Sequence, residues 1–452
     1  MKNHNIDFVS VLFVYKEKVF AVQRQPNLKE FPGYHAFPAG KTDINDSSTP
    51  FKTKFFCENK AVHMRALKRE ILEQLGYDIE NGIKNGEVFS MSKLAEVVAP
   101  EFEEILFKTW FYRVDLNKKI NFNLDSEEFT NSFWETPESL LDTFLKGNSL
   151  MIPTTRWILE KLKQMPSAKQ LGDLSQNYEN KETIPCLEIL KGIKILAVKS
   201  DTLPPANVTN AFLLGDKYTP KLLIDPSPNS LKEFQRLLKT IEDTKIDFIF
   251  LTHHHPDHHQ FSNLLARKLS VPIILSKDTQ QRLEKKFGID YFKKIKLHNP
   301  INNEEVTRWH GSSVRIFEIP GHDAGHLGLA PDCMKWFLVG DLIQGIGTVV
   351  IPSPEGDMAT YFLTLKKIIS LNPEILIPSH GFPSRSIHRL KETLTHRLKR
   401  ESQILDLYNS GISKQGILEK IYLGIDPRLK KFAIQNIESH LTKLYKEKQL
   451  IR

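Results

Sequence analysis

An eight-residue stretch, Thr252–His259, contains five histidines and one aspartate, and it constrains the chain more than any other feature. Neutral imidazoles and carboxylates are common ligands of transition metals. Five of the six residues before the stretch are apolar and predict a buried strand, so the cluster follows the carboxyl end of a strand. His253 and His255 can reach one metal, while Asp257 and His258 can reach a second. A histidine tag is disfavoured, because tags lie at termini and contain no aspartate.

The spacing His-x-His-x-Asp-His resembles the signature of the metallo-β-lactamase superfamily, and the other motifs of that family occur in the expected order. Asp225 follows Leu-Leu-Ile, as in the first motif. His322 lies in Pro-Gly-His-Asp-Ala-Gly-His, Asp341 ends Phe-Leu-Val-Gly-Asp, and His380 lies in Ile-Pro-Ser-His-Gly. The resemblance covers about residues 190–385.

The resemblance implies a set of seven metal ligands. One metal would be held by His253, His255 and His322, the other by Asp257, His258 and His380, with Asp341 between the two. In the family the first-motif aspartate, here Asp225, orients the site and binds no metal. Three more histidines fall at positions that are not ligands, and we expect them around the site or in solvent: His254, His259 and His326.

Histidines and carboxylates without a thiolate favour two Zn²⁺ ions, with Mn²⁺ or Fe as alternatives. Two metals about 3.5–4 Å apart hold a hydroxide that is a nucleophile at neutral pH, and they polarise the electrophile. The catalytic residues would be Asp257, which can accept a proton from the attacking water, and Asp341, which would set the metal spacing. The predicted activity is metal-dependent hydrolysis.

Length and composition indicate a globular, soluble chain with more than one domain. Its 452 residues, 40% hydrophobic and 26% charged, are too many for one ordinary core. Cys57, Cys186 and Cys333 are far apart and next to no metal motif, which fits a reducing cytoplasm without disulfides. The apolar run at 8–15 is too short for a signal peptide or a membrane span, so we expect no membrane partner.

A second motif lies near the N-terminus, on a predicted helix that begins near Lys60. Residues 69–77, Arg-Glu-Ile-Leu-Glu-Gln-Leu-Gly-Tyr, resemble the Nudix box. The box has carboxylates at i, i+3 and i+4, because this spacing places them on one helix face, where they hold Mg²⁺ or Mn²⁺ against a diphosphate. Glu70 and Glu73 fit the box, whereas Gln74 replaces its last glutamate with a neutral amide.

This resemblance covers about residues 5–162 and implies a Nudix fold of the branch that includes coenzyme A diphosphatases. The spacing departs from the family, because an insertion separates Gly40 from Arg69. We predict weak or lost diphosphatase activity, in a fold kept for packing or binding. Three other carboxylates are candidates for the missing ligand: Asp46, Glu103 and Glu104.

The last 67 residues carry most of the net positive charge. Residues 386–452 contain fourteen Lys or Arg and seven Asp or Glu, a surplus of seven in a chain of net charge +8. Three predicted helices in this segment resemble the winged-helix-like tail of the lactamase-β-like branch of the superfamily, whose members include an endoribonuclease. The tail is therefore predicted either to bind RNA or to act as a structural cap or dimerisation module.

Together these patterns predict a multidomain α/β (α+β) chain. It comprises an N-terminal Nudix α/β/α sandwich at 1–165, a linker at 166–187, a central αββα metallo-β-lactamase sandwich at 188–385 and a small winged-helix-like helical module at 386–452. The predicted function is hydrolysis of a small ester or thioester, as in glyoxalase II. The alternatives are a metal-dependent endoribonuclease that binds RNA through the tail, and a non-enzymatic scaffold with vestigial sites.

Overall fold

A computed structural model describes residues 6–47, 61–98, 107–175 and 182–450. The chain forms two compact units, residues 1–181 with 187–191 and residues 182–186 with 192–452. Four residues named above lie outside the described residues: Cys57, Lys60, Glu103 and Glu104.

The first unit has strands β1 (Ile6–Tyr15), β2 (Lys18–Arg24), β3 (His35–Ala36), β4 (Ala39–Lys41), β5 (Val88–Val98), β6 (Phe107–Leu116), β7 (Phe129–Glu135) and β8 (Gly172–Asp173). Its helices are α1 (Ala61–Leu75), α2 (Ile79–Lys84), α3 (Pro137–Leu145) and α4 (Pro153–Gln164), with a 3-10 helix at Ile44–Ser47. Strand β9 (Cys186–Leu190) follows at the boundary between the units.

The sheet of the first unit has helices on both faces. Its strand order is β3-β2-β1-β6-β5-β8, with β4 paired to β1 and β7 to β2. Successive residues of β1 point to opposite faces. Phe13 therefore packs in the core that includes Ile71 of α1, whereas Leu12 packs with Leu140 of α3 and Ile158 of α4. Strands β1 and β2 form an antiparallel hairpin, with Val14 opposite Val19.

Residues 166–175, which the sequence analysis assigns to a linker, pack on this unit. The short strand β8 pairs in parallel with β5. The buried guanidinium of Arg113 donates hydrogen bonds to the carbonyls of Pro166 and Ala168, 2.6 and 2.9 Å away. A polar, glycine-containing composition does not reveal such pairing, because the partner strand lies about 75 residues away in the sequence.

The second unit has strands β10 (Ile193–Lys199), β11 (Val208–Leu214), β12 (Leu222–Ile224), β13 (Phe248–Phe250), β14 (Ile273–Ile274), β15 (Leu297–His298), β16 (Glu305–Trp309), β17 (Ser312–Glu318), β18 (Leu327–Pro331), β19 (Trp336–Gly340), β20 (Ile375–Pro378) and β21 (Ser384–Arg385). Its helices are α5 (Leu231–Ile241), α6 (Pro256–His259), α7 (Ser262–Leu269), α8 (Lys277–Phe287), α9 (Met358–Leu371), α10 (His388–Asn409), α11 (Lys414–Ile421) and α12 (Lys430–Lys446), with 3-10 helices at Ile289–Phe292 and Pro427–Leu429.

These strands form two sheets with helices on their outer faces, as the sequence predicts for an αββα sandwich. The order is β15-β14-β13-β12-β11-β10 in one sheet and β16-β17-β18-β19-β20-β21 in the other. Phe234 of α5 and Leu265 of α7 pack on the first sheet, whereas Leu365 of α9 packs on the second. The side-chain amide of Asn210 joins the two sheets by donating to the carbonyls of Pro378 and Gly381.

The tail packs as part of the second unit. Leu390 of α10 belongs to the same core as α9, while α11 and α12 build a neighbouring core around Ile437 and Leu444. The side chain of Asn436 on α12 accepts a hydrogen bond from the backbone of Ile351, at 2.9 Å. Between residues 386 and 450 the structure describes helices and no strand, so the winged-helix resemblance stays a prediction. Within the described ranges, every helix is too short or too polar to cross a membrane.

Candidate metal centre

The carboxyl ends of two pairs of parallel strands carry the predicted site residues. Strands β12 and β13 are parallel, as are β19 and β20. The first pair is followed by Asp225 and by the loop that begins at Thr252, and the second pair by Asp341 and by Ser379 and His380. Because these strands are largely buried, the polar residues that follow them converge at a protected edge of the unit.

Three of the predicted histidines face one another and form what we call the first ligand group, His253, His255 and His322. The Nε2 atom of His253 lies 3.0 Å from Nδ1 of His255 and 3.3 Å from Nε2 of His322. The remaining separation, from His255 Nδ1 to His322 Nε2, is 3.0 Å. Three nitrogens this close together can bind one metal ion.

The second ligand group consists of Asp257, His258 and His380. Helix α6 starts at Pro256, which favours the first position of a helix, and it brings Asp257 and His258 to this group. The carboxylate of Asp257 lies 3.4 Å from His380 Nε2 and 3.7 Å from His258 Nε2.

The carboxylate of Asp341 lies between the two groups. Its Oδ2 atom is 3.6 Å from Nε2 of His258 and 3.8 Å from Nε2 of His322. Its Oδ1 atom is 3.4 Å from Nε2 of His380. The structure thus brings all seven predicted ligand residues together, with one carboxylate in reach of both groups.

Four of the candidate ligand histidines have their Nδ1 atom hydrogen-bonded to the surrounding protein, while Nε2 faces the centre. His322 Nδ1 donates to the Val350 carbonyl at 2.7 Å, and His380 Nδ1 donates to the Val208 carbonyl at 3.1 Å. His253 Nδ1 lies 3.0 Å from the Thr252 hydroxyl. Such bonds fix the tautomer and leave the opposite nitrogen available to a metal.

Asp225 provides the corresponding bond for His258 and organises the loop. Its carboxylate is fully buried, lies 2.8 Å from His258 Nδ1, and accepts hydrogen bonds from the amide and the hydroxyl of Thr252. The backbone φ of Asp225 is +47°, a conformation that Asp and Asn tolerate better than most residues. Asp225 therefore orients a ligand.

The donor set fits metal ions, because three buried atoms lack a hydrogen-bond partner among the described residues. They are His258 Nε2, His380 Nε2 and Asp341 Oδ1. A buried polar atom left unpaired costs roughly 1–3 kcal/mol. Cations held by these residues would satisfy all three atoms.

The charges of the second group also favour a cation. Burial disfavours a charged His380, but Asp341 and Asp257 raise its pKa to about 10. Burial likewise opposes ionisation of Asp257, yet the neighbouring His258 lowers the pKa of this carboxyl. In the first group, which is poorer in carboxylates, burial lowers the pKa of His322 to about 4. Two ionised carboxylates thus supply negative charge that a bound cation can neutralise.

The three histidines outside the ligand set surround the site. His254 Nδ1 lies 2.6 Å from the buried carboxylate of Asp323, whose hydrogen bond raises the pKa of His254 to about 9 against the effect of burial. His326 Nε2 accepts a hydrogen bond from the backbone amide of Asp341 at 3.3 Å. His259 Nδ1 bonds to the hydroxyl of Tyr291 at 2.9 Å.

Sequence reasoning missed Glu355, which lies beside the loop of the first motif. Its carboxylate is 3.5 Å from Nε2 of His255 and 3.6 Å from Nε2 of His254. No motif surrounds Glu355, and a hundred residues separate it from these histidines. Only the folded chain therefore identifies it as a neighbour of a ligand.

In the first unit, charged residues of the motif at 69–77 contact one another and Asp46 around Arg69. The Arg69 guanidinium donates to both carboxylate oxygens of Asp46, at 3.0 and 3.3 Å, and to Glu70 at 2.6 Å and Glu73 at 3.4 Å. Asp46 stands six residues after Gly40, the position expected for the box. Its carboxylate is engaged by Arg69, which argues against its serving as the missing metal ligand.

Gln74 takes part in this arrangement through its amide nitrogen. The side chain is buried, and Nε2 donates to Glu70 Oε2 and to the Ala39 carbonyl, both at 2.9 Å. Glu70 packs so closely over Gly40 that a Cβ there would lie 1.8 Å from its carboxyl carbon. Among the described residues, the groups suited to metal all lie in the second unit.

Known proteins share the histidine-rich part of the chain. Residues 204–380 match a family model described as Metallo-beta-lactamase superfamily. A beta-lactamase-like protein 2 homolog of Drosophila melanogaster is 30% identical over 259 residues, which cover 54% of this chain and 84% of that protein. Hydroxyacylglutathione hydrolase GloC of Haemophilus influenzae is 28% identical over 184 residues, 38% of this chain and 85% of that protein. An atrochrysone carboxyl ACP thioesterase of Emericella nidulans is 25% identical over 236 residues, 50% of this chain and 70% of that protein.

The αββα sandwich gathers histidines and carboxylates at its strand ends in a candidate metal centre, and the hydrolase and thioesterase among its relatives support a hydrolase. The chain belongs to the metallo-β-lactamase superfamily.

Proposed function

We propose that the second unit hydrolyses a small ester or thioester at a centre of two Zn²⁺ ions, with Mn²⁺ or Fe as alternatives. The observation that carries this proposal is the convergence of seven donor residues with three buried atoms that lack a hydrogen-bond partner. The hydrolase and thioesterase names of two relatives support a thioester as the substrate class.

In this mechanism the protein orients the ligands and accepts a proton. Two transition-metal ions bound here would polarise the scissile carbonyl oxygen and acidify a water molecule. Asp257 accepts the proton of the attacking water, because its carboxylate is more accessible to water than that of Asp341. The side chain of Asp257 is 14% exposed, and that of Asp341 is 7% exposed. Asp341 sets the separation of the two ligand groups, and Asp225 holds His258 with Nε2 directed at the centre.

The test is a hydrolysis panel with the zinc-loaded full chain. We expect acyl-CoA thioesters or S-lactoylglutathione to be cleaved with kcat/KM of about 10⁴ M⁻¹s⁻¹ or more, the lower end of the enzyme range. Single-stranded RNA serves as the competing substrate. Cleavage of RNA without turnover of any thioester or ester would overturn the proposal.

The alternative function, endoribonuclease activity, is favoured by one observation, the positive surplus of the tail. Lys430 and Lys431 at the start of α12 are exposed. Removing the tail is a poor test, because Leu390 belongs to the core of the second sheet. Point substitutions leave that core intact.

If the tail binds RNA, Lys430→Glu with Lys431→Glu should weaken binding at all sequences alike. Each lost phosphate contact should reduce the salt dependence by about 0.7 log units per decade of salt, as for single strands. Fluorescence anisotropy over a salt series measures this effect. The exposed pair Lys285 and Lys286 on α8 provides a matched charge-reversal control. Equal losses in both double variants would indicate a non-specific charge effect and remove the support for a dedicated RNA surface.

We further propose that the first unit is a Nudix-like domain, taking Mg²⁺ or Mn²⁺, whose diphosphatase activity is weak or lost. The ion pair of Arg69 with Asp46 supports the resemblance. The neutral amide of Gln74, bonded to Glu70, supports the loss, because a metal ligand of the box is occupied by a hydrogen bond.

Replacing Gln74 by Glu should raise hydrolysis of coenzyme A or a nucleoside diphosphate derivative by at least about tenfold, because it restores a carboxylate to a site that works by charge stabilisation. Release of the monophosphate product with Mg²⁺ present measures the change. Gln164→Glu, an exposed substitution on α4, is the control. A parent protein that already works at ordinary enzyme rates, with Gln74→Glu no faster, would contradict the proposed loss.

A further inference from the structure

A cavity of about 210 Å³ that opens to solvent lies in the second unit, between α10 and the segment 343–349 that follows Asp341. Its polar lining includes Arg389, His396 and Arg397 on the side of α10, and Thr348 on the side of the segment. None of these residues is among the metal ligands.

Arg397 is the unusual member of this lining, because its guanidinium is buried without a carboxylate. The residue is 2% exposed, and its side chain donates to the Val349 carbonyl. The Nε atom is buried and has no hydrogen-bond partner, and across the described ranges no carboxylate forms an ion pair with Arg397. The guanidinium also lies over the ring of Tyr361, 5.9 Å from its centroid. Because a buried charge is costly without a counter-charge, this position favours a bound anion.

The other charged groups around the cavity leave it positive. Arg389 donates to the Gln344 carbonyl at 3.3 Å and forms an ion pair with Glu392, whose side chain is about half exposed. Burial lowers the pKa of His396, and the positive charges of Arg397 and Arg400 lower it further. The negative charge of Glu392 opposes this effect. The lining thus has one partly exposed carboxylate, Glu392, and two guanidinium groups, those of Arg389 and Arg397.

The wall of the cavity also supports the metal centre. The segment that contributes Val349 continues to Val350, whose carbonyl accepts the hydrogen bond of His322 at 2.7 Å. The amide of Gly345, in the same segment, donates to the His380 carbonyl at 2.7 Å. A group bound in the cavity therefore lies directly behind the backbone that holds one ligand from each group.

We propose that this cavity binds a compact oxyanion, a phosphate or carboxylate group, through Arg397 and Arg389. The volume suits a group of this size, and the planar guanidinium of Arg matches the oxygens of both anions. The site goes beyond the proposed function, because it lies outside the metal ligands and takes a ligand of its own.

Binding is tested on the zinc-loaded full chain with inorganic phosphate as the probe, by isothermal titration calorimetry. Arg389→Gln and Arg397→Gln should each weaken binding at least about tenfold, the loss expected for one charge-assisted hydrogen bond. Arg397→Lys should retain part of the affinity. Arg315→Gln, which changes a partly exposed arginine of β17 outside the cavity lining, is the control. Thermal unfolding and metal content show that each variant is folded and loaded.

Unchanged phosphate affinity in folded Arg389→Gln and Arg397→Lys proteins would overturn the site, since the phosphate would then be bound by the metals alone. This outcome is independent of turnover, so it is distinct from failure of the proposed function. The same titration with acetate in place of inorganic phosphate distinguishes the two anions. The anion whose binding falls more in the arginine variants is the preferred ligand.

Discussion

Replacing Asp341 by Ala is expected to lower hydrolysis by on the order of 10³-fold or more, because metal-assisted charge stabilisation contributes several kcal/mol and about 1.4 kcal/mol corresponds to a factor of ten. The carboxylate lies within 4 Å of nitrogens from both ligand groups. Without this carboxylate, the centre loses the negative charge that lies between the two ligand groups.

The fold should survive this substitution, because Asp341 follows β19 and contributes no apolar contact to either sheet. Turnover of the best thioester, thermal unfolding and metal content are measured together on the variant. Asp332→Ala, which removes an exposed aspartate of the same unit, is the matched control. Turnover within a few fold of the parent would show that Asp341 does not have the assigned role.

The second large effect is expected for Asp225→Asn, which should cost roughly 10–100-fold in metal affinity or activity, as for other groups that orient a metal ligand. Asn has almost the same shape and tolerates the positive φ at this position. The backbone is therefore kept, while the acceptor for His258 Nδ1 changes.

The reason lies in the hydrogen-bond pattern. The carboxylate of Asp225 accepts hydrogen bonds from the amide and the hydroxyl of Thr252 and from the ring of His258. It is therefore the acceptor in all three bonds. An amide nitrogen in this position would present a donor to one of them. If it faces His258, the ring must move its proton to Nε2, the atom that faces the metal. Zinc affinity measured by competition with a chelator tests this, and an affinity within twofold of the parent would contradict the tautomer argument.

The positions of the candidate metal ligands follow from local patterns in the sequence. The residues His253 to His258 lie in one loop after a recognisable apolar strand, and Asp341 and His380 follow two more such strands. Where buried parallel strands end together, their following residues meet, so the strand pattern carries the geometry.

Other features depend on contacts that no local pattern reveals. Glu355 beside His255 and Asp323 beside His254 become visible only when loops from distant parts of the sequence meet. The burial of Arg397 is similar: its position on an amphipathic, basic helix predicts an exposed residue. Helix α10 buries that face because it packs on α9, and the spacing of polar residues alone does not encode the partner.

The first unit also combines a feature that the sequence predicts with one that it does not. The Nudix-like helix is predicted from its box, and α1 indeed spans Ala61–Leu75. The contact between Asp46 and Arg69, in contrast, crosses an insertion that makes the spacing abnormal. The sequence interval alone leaves the role of Asp46 open, because it does not define the path of the intervening chain.

The central claim, a centre for two metals, is tested most directly by the metal-to-protein ratio of the full chain after reconstitution with Zn²⁺ and removal of loosely bound ions. Inductively coupled plasma mass spectrometry, with protein quantified by amino-acid analysis, provides that ratio. The two ligand groups and the carboxylate between them predict two zinc ions per chain. A reproducible ratio of one or none in folded protein would contradict the assignment.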